Sequence, residues 1–331
     1  PVASSVHGML DTFWTEKLPE PADAAEKLLM RIATEVAERE ESWLPASRFH
    51  DQKPLLDKLE AARIVHRDPS RRRIGFRHQL WFQHARARAF TVEHGTLSTF
   101  VLKRQQTLSI RPLLLNSLQY LRDVDTAAYE RELPALLSSD VRAHLRGLVL
   151  DMLRHVEAIR PIEARLVLQE TRTDRGPRVL ASLAGSPPWF DILADGALPD
   201  LLQQRPAPAN LAQFLRATAA TRSDRTCKLL RDYWVQDALM LPQLAWVLSQ
   251  FAVWPDDAVA MAERAARSKD VADWVVRAMA SSLSVARPSE APRVVRAFLE
   301  PHIERCIHAQ PDTDPEDPAG IQDQEEPLRH L

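Results

Sequence analysis

Glycine is scarce in this chain, with eight in 331 residues, against roughly 7% in an average protein. None of the eight (Gly8, Gly75, Gly95, Gly147, Gly176, Gly185, Gly196, Gly320) is followed by lysine. The Gly-x-x-x-x-Gly-Lys-Ser/Thr loop that cradles phosphates is therefore absent, and nucleotide hydrolysis by that route is excluded. Cysteine is scarcer still: Cys227 and Cys306 stand far apart and make no disulfide framework, which predicts a reducing compartment. No secretory leader is read, and no apolar run reaches the roughly 18 residues of a membrane span, so a cytoplasmic protein without membrane contact is expected. Neither a Gly-x-Ser-x-Gly elbow nor a His-Glu-x-x-His pair occurs. His302, Cys306 and His308 are ligand types close together, but the first two lie one helical turn apart and zinc needs four ligands, or three plus water. They are read as packing residues, and the chain as one with neither catalytic nor metal site.

What remains is abundant Leu, Ala, Arg and Glu, a bias toward helix. The 24 prolines fall mostly between apolar runs, as at Pro134, Pro161, Pro187, Pro206 and Pro242, where they start or stop helices. A mainly α chain of two or three domains follows. Residues 1–48 read as a helical segment: one run through Met9, Leu10, Phe13 and Trp14, then a helix over 24–40 with Leu28, Leu29, Ile32 and Val36 at helical spacing behind a capping Asp23. From Thr96 to residue 309 amphipathic helices follow one another. The spacing of Val141, Leu145, Leu148, Val149, Met152, Leu153, Val156 and Ile159 predicts one helix over 141–159, capped by Ser138-Ser139-Asp140. Later helices are expected at 211–220, 227–235, 241–253, 258–266, 271–283 and 292–306. A helix pair every 30 to 45 residues or so predicts an α-solenoid of HEAT-like repeats. Trp189, Trp234, Trp246, Trp254 and Trp274 recur through it and are expected to fill gaps between stacked helices.

Charge is uneven although the formal net charge is only −2. From Arg63 to Arg111 eleven Lys/Arg face two acids, Asp68 and Glu93, whereas residues 310–331 carry seven acids against Arg329. That tail, rich in proline, is expected to be disordered or a linker.

The basic stretch contains the most specific motif. Residues 55–65 read as a helix entering a strand, Asp68-Pro69-Ser70 as a tight turn, and 74–76 as a second strand running into a helix. This is the layout of a winged-helix domain, placed at residues 49–95. Phe76, His78, Gln83, Ala87 and Arg88 fit the form Phe-x-His-x-x-x-x-Gln with Ala and Arg further on, and here the segment resembles the winged-helix region of STAND-type, NACHT-like signalling NTPases. The resemblance is specific over about forty residues. It implies a winged helix that closes over ADP held by an ATPase core, with His78, beside Arg77, meeting the nucleotide's phosphate. A histidine at a helix start suits that role, because first-turn amides are free and the dipole favours an anion. ADP or ATP would be bound by an upstream domain absent here and not tightly by this chain. Because the chain begins at Pro1, it is expected to be a piece of a longer protein whose ATPase core lay upstream. The function this implies is the non-catalytic switch and sensor part of such an NTPase. Its helical repeats would sense a protein ligand or drive self-oligomerisation, and prokaryotic defence signalling is the setting the resemblance implies.

Two other readings compete. Arg71, Arg72 and Arg73 at the wing, with Arg77, Arg86 and Arg88, could follow a nucleic-acid backbone, making the chain a DNA-binding regulator with a helical sensor. Against that, the recognition helix around 54–62 offers Asp57 and Glu60 beside Lys58, so only weak, non-specific nucleic-acid binding is expected. The second is a helical-repeat interaction scaffold with no nucleotide link.

Overall fold

In a computed structural model of the chain, residues 6–39, 41–70, 72–93, 96–103 and 106–308 are described. Arg71, Arg104, the acidic segment 309–331 and the side chains of His302, Cys306 and His308 lie outside the described residues. The chain divides into two compact units, one ending at Leu198 and the other beginning at Pro199. The described residues are mainly helical, with 18 α-helices and three short strands, as in α-solenoid-like proteins.

The first unit opens with α1 (Val6–Lys17) and α2 (Ala22–Arg39). Strand β1 (Leu44–Pro45), a 3₁₀ segment (Ala46–Gln52), α3 (Lys53–Ala61), β2 (Val65–Arg67), β3 (Arg73–Phe76) and α4 (Gln79–Glu93) follow. The sheet is antiparallel with β3 in the middle, Leu44 opposite Ile74 on one side and Val65 opposite Phe76 on the other. Gly75 is required there, because a Cβ would lie 2.7 Å from the Ser42 carbonyl oxygen. The apolar stripe of α2, Leu28, Leu29 and Ile32, shares one core with Phe49, Leu56, Leu59, Val65 and Ile74. The amide of Ala22 is bound by Glu20 Oε2 at 3.2 Å, and Asp23 sits inside the first turn. The expected Asp23 cap is therefore replaced by a longer carboxylate two residues before the helix.

The unit continues with α5 (Leu97–Lys103), α6 (Arg111–Val124), α7 (Thr126–Leu136), α8 (Ala143–Arg154), α9 (Pro161–Thr171), α10 (Gly176–Leu183) and α11 (Pro187–Gly196). The helix expected over 141–159 is shorter at both ends. Val156 and Ile159 fall outside it, because the chain must leave helical geometry before Pro161, and Arg160 is extended (ψ 153°). Its N-cap is Arg142, without a side-chain cap bond, so Ser138, Ser139 and Asp140 do not cap it. A fully buried carboxylate joins α6, α7 and α9: Glu163 accepts from Arg122 Nε (2.7 Å), the Tyr129 hydroxyl (2.7 Å) and the Arg160 amide (2.8 Å). Burial first, then the Glu163 carboxylate, pushes the Tyr129 hydroxyl well above its usual range, so it stays a donor. Glu132, also buried, reaches from α7 to the Ser98 amide (2.7 Å) at the start of α5.

Helix α12 (Leu198–Gln203) spans the boundary. The second unit holds α13 (Leu211–Ala219), α14 (Ser223–Tyr233), α15 (Leu241–Leu248), α16 (Asp256–Ala266), α17 (Asp273–Ala286) and α18 (Ala291–His308). Each helix packs on the one two places later: α13 on α15, α14 on α16, α15 on α17, α16 on α18. Trp189, Trp234 and Trp254 are buried as expected, and each indole N–H finds an acceptor: Leu153 O (2.7 Å), Leu202 O (3.2 Å) and Ser282 Oγ (3.1 Å). Trp246 is half-buried beneath Arg216, and Trp274 breaks the pattern at 57% exposed.

Removing one partner of a buried charged network leaves the others uncompensated, at a cost of about 3–5 kcal/mol, whereas deleting one neutral donor costs about 1 kcal/mol. Glu163→Ala should therefore lower the denaturant midpoint several times more than Tyr129→Phe. Equal, small losses in urea titrations of the two variants would show that Glu163 does not join these helices. Cys227 gives an independent check of the second unit: burial, then Asp257 nearby, raises its thiol to about 11. In a Cys306→Ser background, Cys227 should resist thiol reagents at pH 8 until the protein unfolds, and rapid native labelling would contradict its placement.

Candidate functional site at the start of α4

Strand β3 runs almost directly into α4. The Arg77 amide donates to the Ile64 carbonyl (3.0 Å), and the His78 carbonyl accepts from the amides of Trp81 (3.1 Å) and Phe82 (3.4 Å), so His78 is where the helix begins. Both side chains are exposed. First-turn amides of a helix lack intrahelical partners, and the dipole makes this end favourable for an anion. The structure thus brings the two residues singled out for phosphate contact to one accessible, positively disposed edge.

A cavity of about 250 Å³ lies between the C-terminal end of α2 and the start of α4. Val36, Phe76 and Phe82 supply apolar walls, and Ser42, Glu41 and Gln79 polar ones. The rings of Phe76 and Phe82 stand 5.8 Å apart. The Glu41 carboxylate disfavours an anion inside, so of this surface only the Arg77–His78 edge suits a phosphate.

The hairpin between β2 and β3 is closed by one carboxylate. Asp68 accepts from the Ser70 hydroxyl (2.9 Å) and from the amides of Arg72 (2.8 Å) and Arg73 (3.2 Å). Desolvation works to raise its pKa, but these hydrogen bonds outweigh it and hold Asp68 below the ordinary carboxylate value. Arg72 and Arg73 are exposed at this hairpin, and Arg71 lies outside the described residues. On α3, Asp57 and Glu60 are both bound by Arg67, at 2.6 and 3.2 Å, and Lys58 Nζ is turned to the Glu20 carbonyl (2.7 Å). Arg67 offsets one of these two negative charges from within the fold, and the other still counts against nucleic acid.

Arg86 and Arg88 are not where a nucleic-acid backbone would need them. Arg86 reaches Thr34 on α2 (3.3 Å). The Arg88 guanidinium bridges three helices: it pairs with Asp11 of α1, binds Glu26 of α2 through Nε (2.8 Å), and lies 5.7 Å from the Trp14 ring. Burial opposes its charge, yet Tyr120, Glu26 and Asp11 keep its pKa raised. Burial above all pushes Tyr120 to about 12. Fully buried His84, one turn before Arg88, packs against Trp14 (5.1 Å) and Tyr120 (5.5 Å), with Nε2 3.8 Å from Asp11. Sequence reasoning missed this cluster because its members are spread along the chain from Asp11 to Tyr120, and Arg88 lies 77 residues from Asp11. The available signal was His84 and Arg88 four residues apart on one helical face, interleaved with Ala85, Ala87 and Ala89, small residues that let neighbouring helices approach. Among the described residues no group of three or more His, Cys, Asp or Glu could hold a metal ion, and no helix is long and apolar enough to cross a membrane.

Arg88→Met leaves Asp11 and Glu26 as uncompensated carboxylates, and unfolding titrations should show a loss of about 3 kcal/mol. Adding Asp11→Asn and Glu26→Gln should restore part of it, and no recovery would refute the bridge. For Asp68, whose folded pKa is depressed, the contribution to stability is present above the unfolded pKa and is lost as pH falls through the folded one. The hairpin amides of Arg72 and Arg73 should therefore lose protection, relative to their intrinsic exchange rates, below about pH 4, and this acid sensitivity should vanish in Asp68→Asn.

No family model, curated protein or solved structure matches the chain, so its functional reading rests on its own residues and geometry.

Proposed function

We propose that this chain is the non-catalytic switch and sensor portion of a STAND-type, NACHT-like signalling NTPase. In this reading residues 49–95 are a winged helix, with α3 as its recognition helix and the Asp68 hairpin as its wing, and α2 belongs to the helical segment that precedes it. The observation that carries it is the β1-β3-β2 sheet order with Arg77 and His78 exposed where β3 enters α4. His78 and Arg77 contact a phosphate of ADP held by an ATPase core outside this chain, and that contact exists only in the closed arrangement. The helices of the second unit act as HEAT-like repeats that sense a protein ligand. Their engagement opens the latch, and the output is oligomerisation, in a cytoplasmic setting such as prokaryotic defence. The half-buried Arg88 bridge supports the reading because it makes α4 a rigid lever: what happens at its N-terminus is passed to α1, α2 and α6.

A hydrogen bond to a charged group contributes about 1.5–3 kcal/mol. Removing it from the closed state alone shifts the population toward the open one roughly tenfold or more. In the full-length polypeptide, His78→Ala should shed ADP during gel filtration and signal without its trigger, while keeping wild-type melting behaviour. Undiminished ADP retention in a folded His78→Ala protein, or a full-length polypeptide with no Gly-x-x-x-x-Gly-Lys-Ser/Thr loop, would sink the switch.

One observation favours a second reading, a DNA-binding regulator: Arg72 and Arg73 stand exposed at the hairpin while Arg67 offsets part of the charge of Asp57 and Glu60. Under the switch reading, duplex binding is weak, indifferent to sequence, steeply salt-dependent and reduced by replacing Arg71, Arg72 and Arg73 together. A nanomolar preference for one duplex at physiological salt would establish the regulator instead.

A further inference from the structure

The last two helices present a face that the packing rule of their own unit leaves open. Each of α13 to α16 is covered by the helix two places later, and among the described residues no helix follows α18. Between α17 and α18 runs a groove of about 730 Å³. Its wall on α17 is small, made of Ala280, Ser281 and Ser284; its ridge on α18 is large and apolar, made of Val295, Leu299 and Ile303 at one-turn spacing. The ridge residues are 42%, 41% and 53% exposed, and Trp274 and Val285 at the two ends of α17 are 57% and 85% exposed. Isolated apolar residues on a surface need no explanation, but a contiguous patch marks an interaction site.

We infer that this face is the docking surface for a second copy of the chain, packing α17 and α18 of one molecule on α17 and α18 of the other about a twofold axis. Three features favour this occupant. Small wall and large ridge lie side by side on one patch, so the patch is complementary to itself, as a twofold interface requires. The exposed charges beside it are of both signs, Asp273 with Arg277 on α17 and Arg296 with Glu300 on α18, so a copy is not repelled as it would be by a patch of one sign. The contact also continues the stacking already present in the fold, since the incoming helices cover α17 and α18 as those two cover α15 and α16. Two helices of 14 and 18 residues, each about 10 Å wide, offer roughly 500 Å² per copy, or about 1,000 Å² in all. That is the lower end of specific interfaces and predicts a reversible dimer of micromolar strength. This inference does not rest on the nucleotide reading: it concerns another unit and needs no ADP.

Sedimentation of the full chain from about 1 to 300 µM should show a monomer–dimer equilibrium with a dissociation constant on the order of 10 µM. Leu299→Asp and Val295→Asp, at partly exposed positions, should each weaken it at least tenfold without changing the melting temperature. In a Cys306→Ser background, mild oxidation of a mixture of Ser284→Cys and Leu299→Cys chains should yield a disulfide-linked dimer that neither variant forms alone. A chain monomeric at 300 µM, or a dimer indifferent to both aspartates, would overturn the proposal. If the monomeric chain began to dimerise after truncation behind His308, the groove would belong to the chain's own acidic C-terminal residues instead.

Discussion

The first unit depends on one guanidinium. Arg88 stands where α1, α2 and α4 meet, and its charge is shared between Asp11 and Glu26 under the face of Trp14. Taking three charges partly out of water is expensive, and a well-packed apolar group of the same volume would serve stability as well or better. What the charged arrangement adds is selectivity of geometry: a forked donor between two carboxylates is satisfied in one position, whereas methyl groups slide. Helix α4 therefore has a defined azimuth and register. The two residues at its N-terminal end, Arg77 and His78, are aimed by a contact ten residues away.

A similar device recurs deeper in the unit. Glu163 is fully buried, and α9 is placed by donors from α6, α7 and the start of α9 itself. The second unit relies instead on stacking, with each helix covered by the one two places later and tryptophan indoles donating across the layers. Such a stack has no internal reason to end, and the uncovered face of α17 and α18 is the consequence. The two units thus differ in kind: polar bridges set unique geometry in the one that carries the candidate site, and repetition makes surface in the other.

Much of this was legible in the sequence. The scarcity of glycine and the placement of proline gave a mainly helical chain, and the later helices of the array were located to within a few residues, because apolar periodicity and helix-start prolines are local signals. The strand–turn–strand–helix around Asp68 was legible for the same reason, as was the place of His78 and Arg77 at the start of α4. Ends were harder. Val156 and Ile159 continue the pattern of α8 in sequence but leave the helix in space, since the geometry ahead of Pro161 outweighs an apolar periodicity that nothing there rewards.

The sequence by itself determined the helices, the hairpin, the missing phosphate loop and the uneven charge, all of which follow from neighbours a few residues apart. Only the tertiary structure decided which charges are spoken for. Arg88 and Arg86 look like surface cations in a basic stretch, yet Asp11, Glu26 and Thr34 claim them from more than fifty residues away. Asp57 and Glu60 look like free acids on a recognition helix, yet Arg67 binds both across the turn and offsets one of their two charges. Trp274 looks like its buried fellows and is exposed. Pairing and burial depend on which segments meet in space, and that is set by the sum of many weak long-range packing terms that no local pattern encodes.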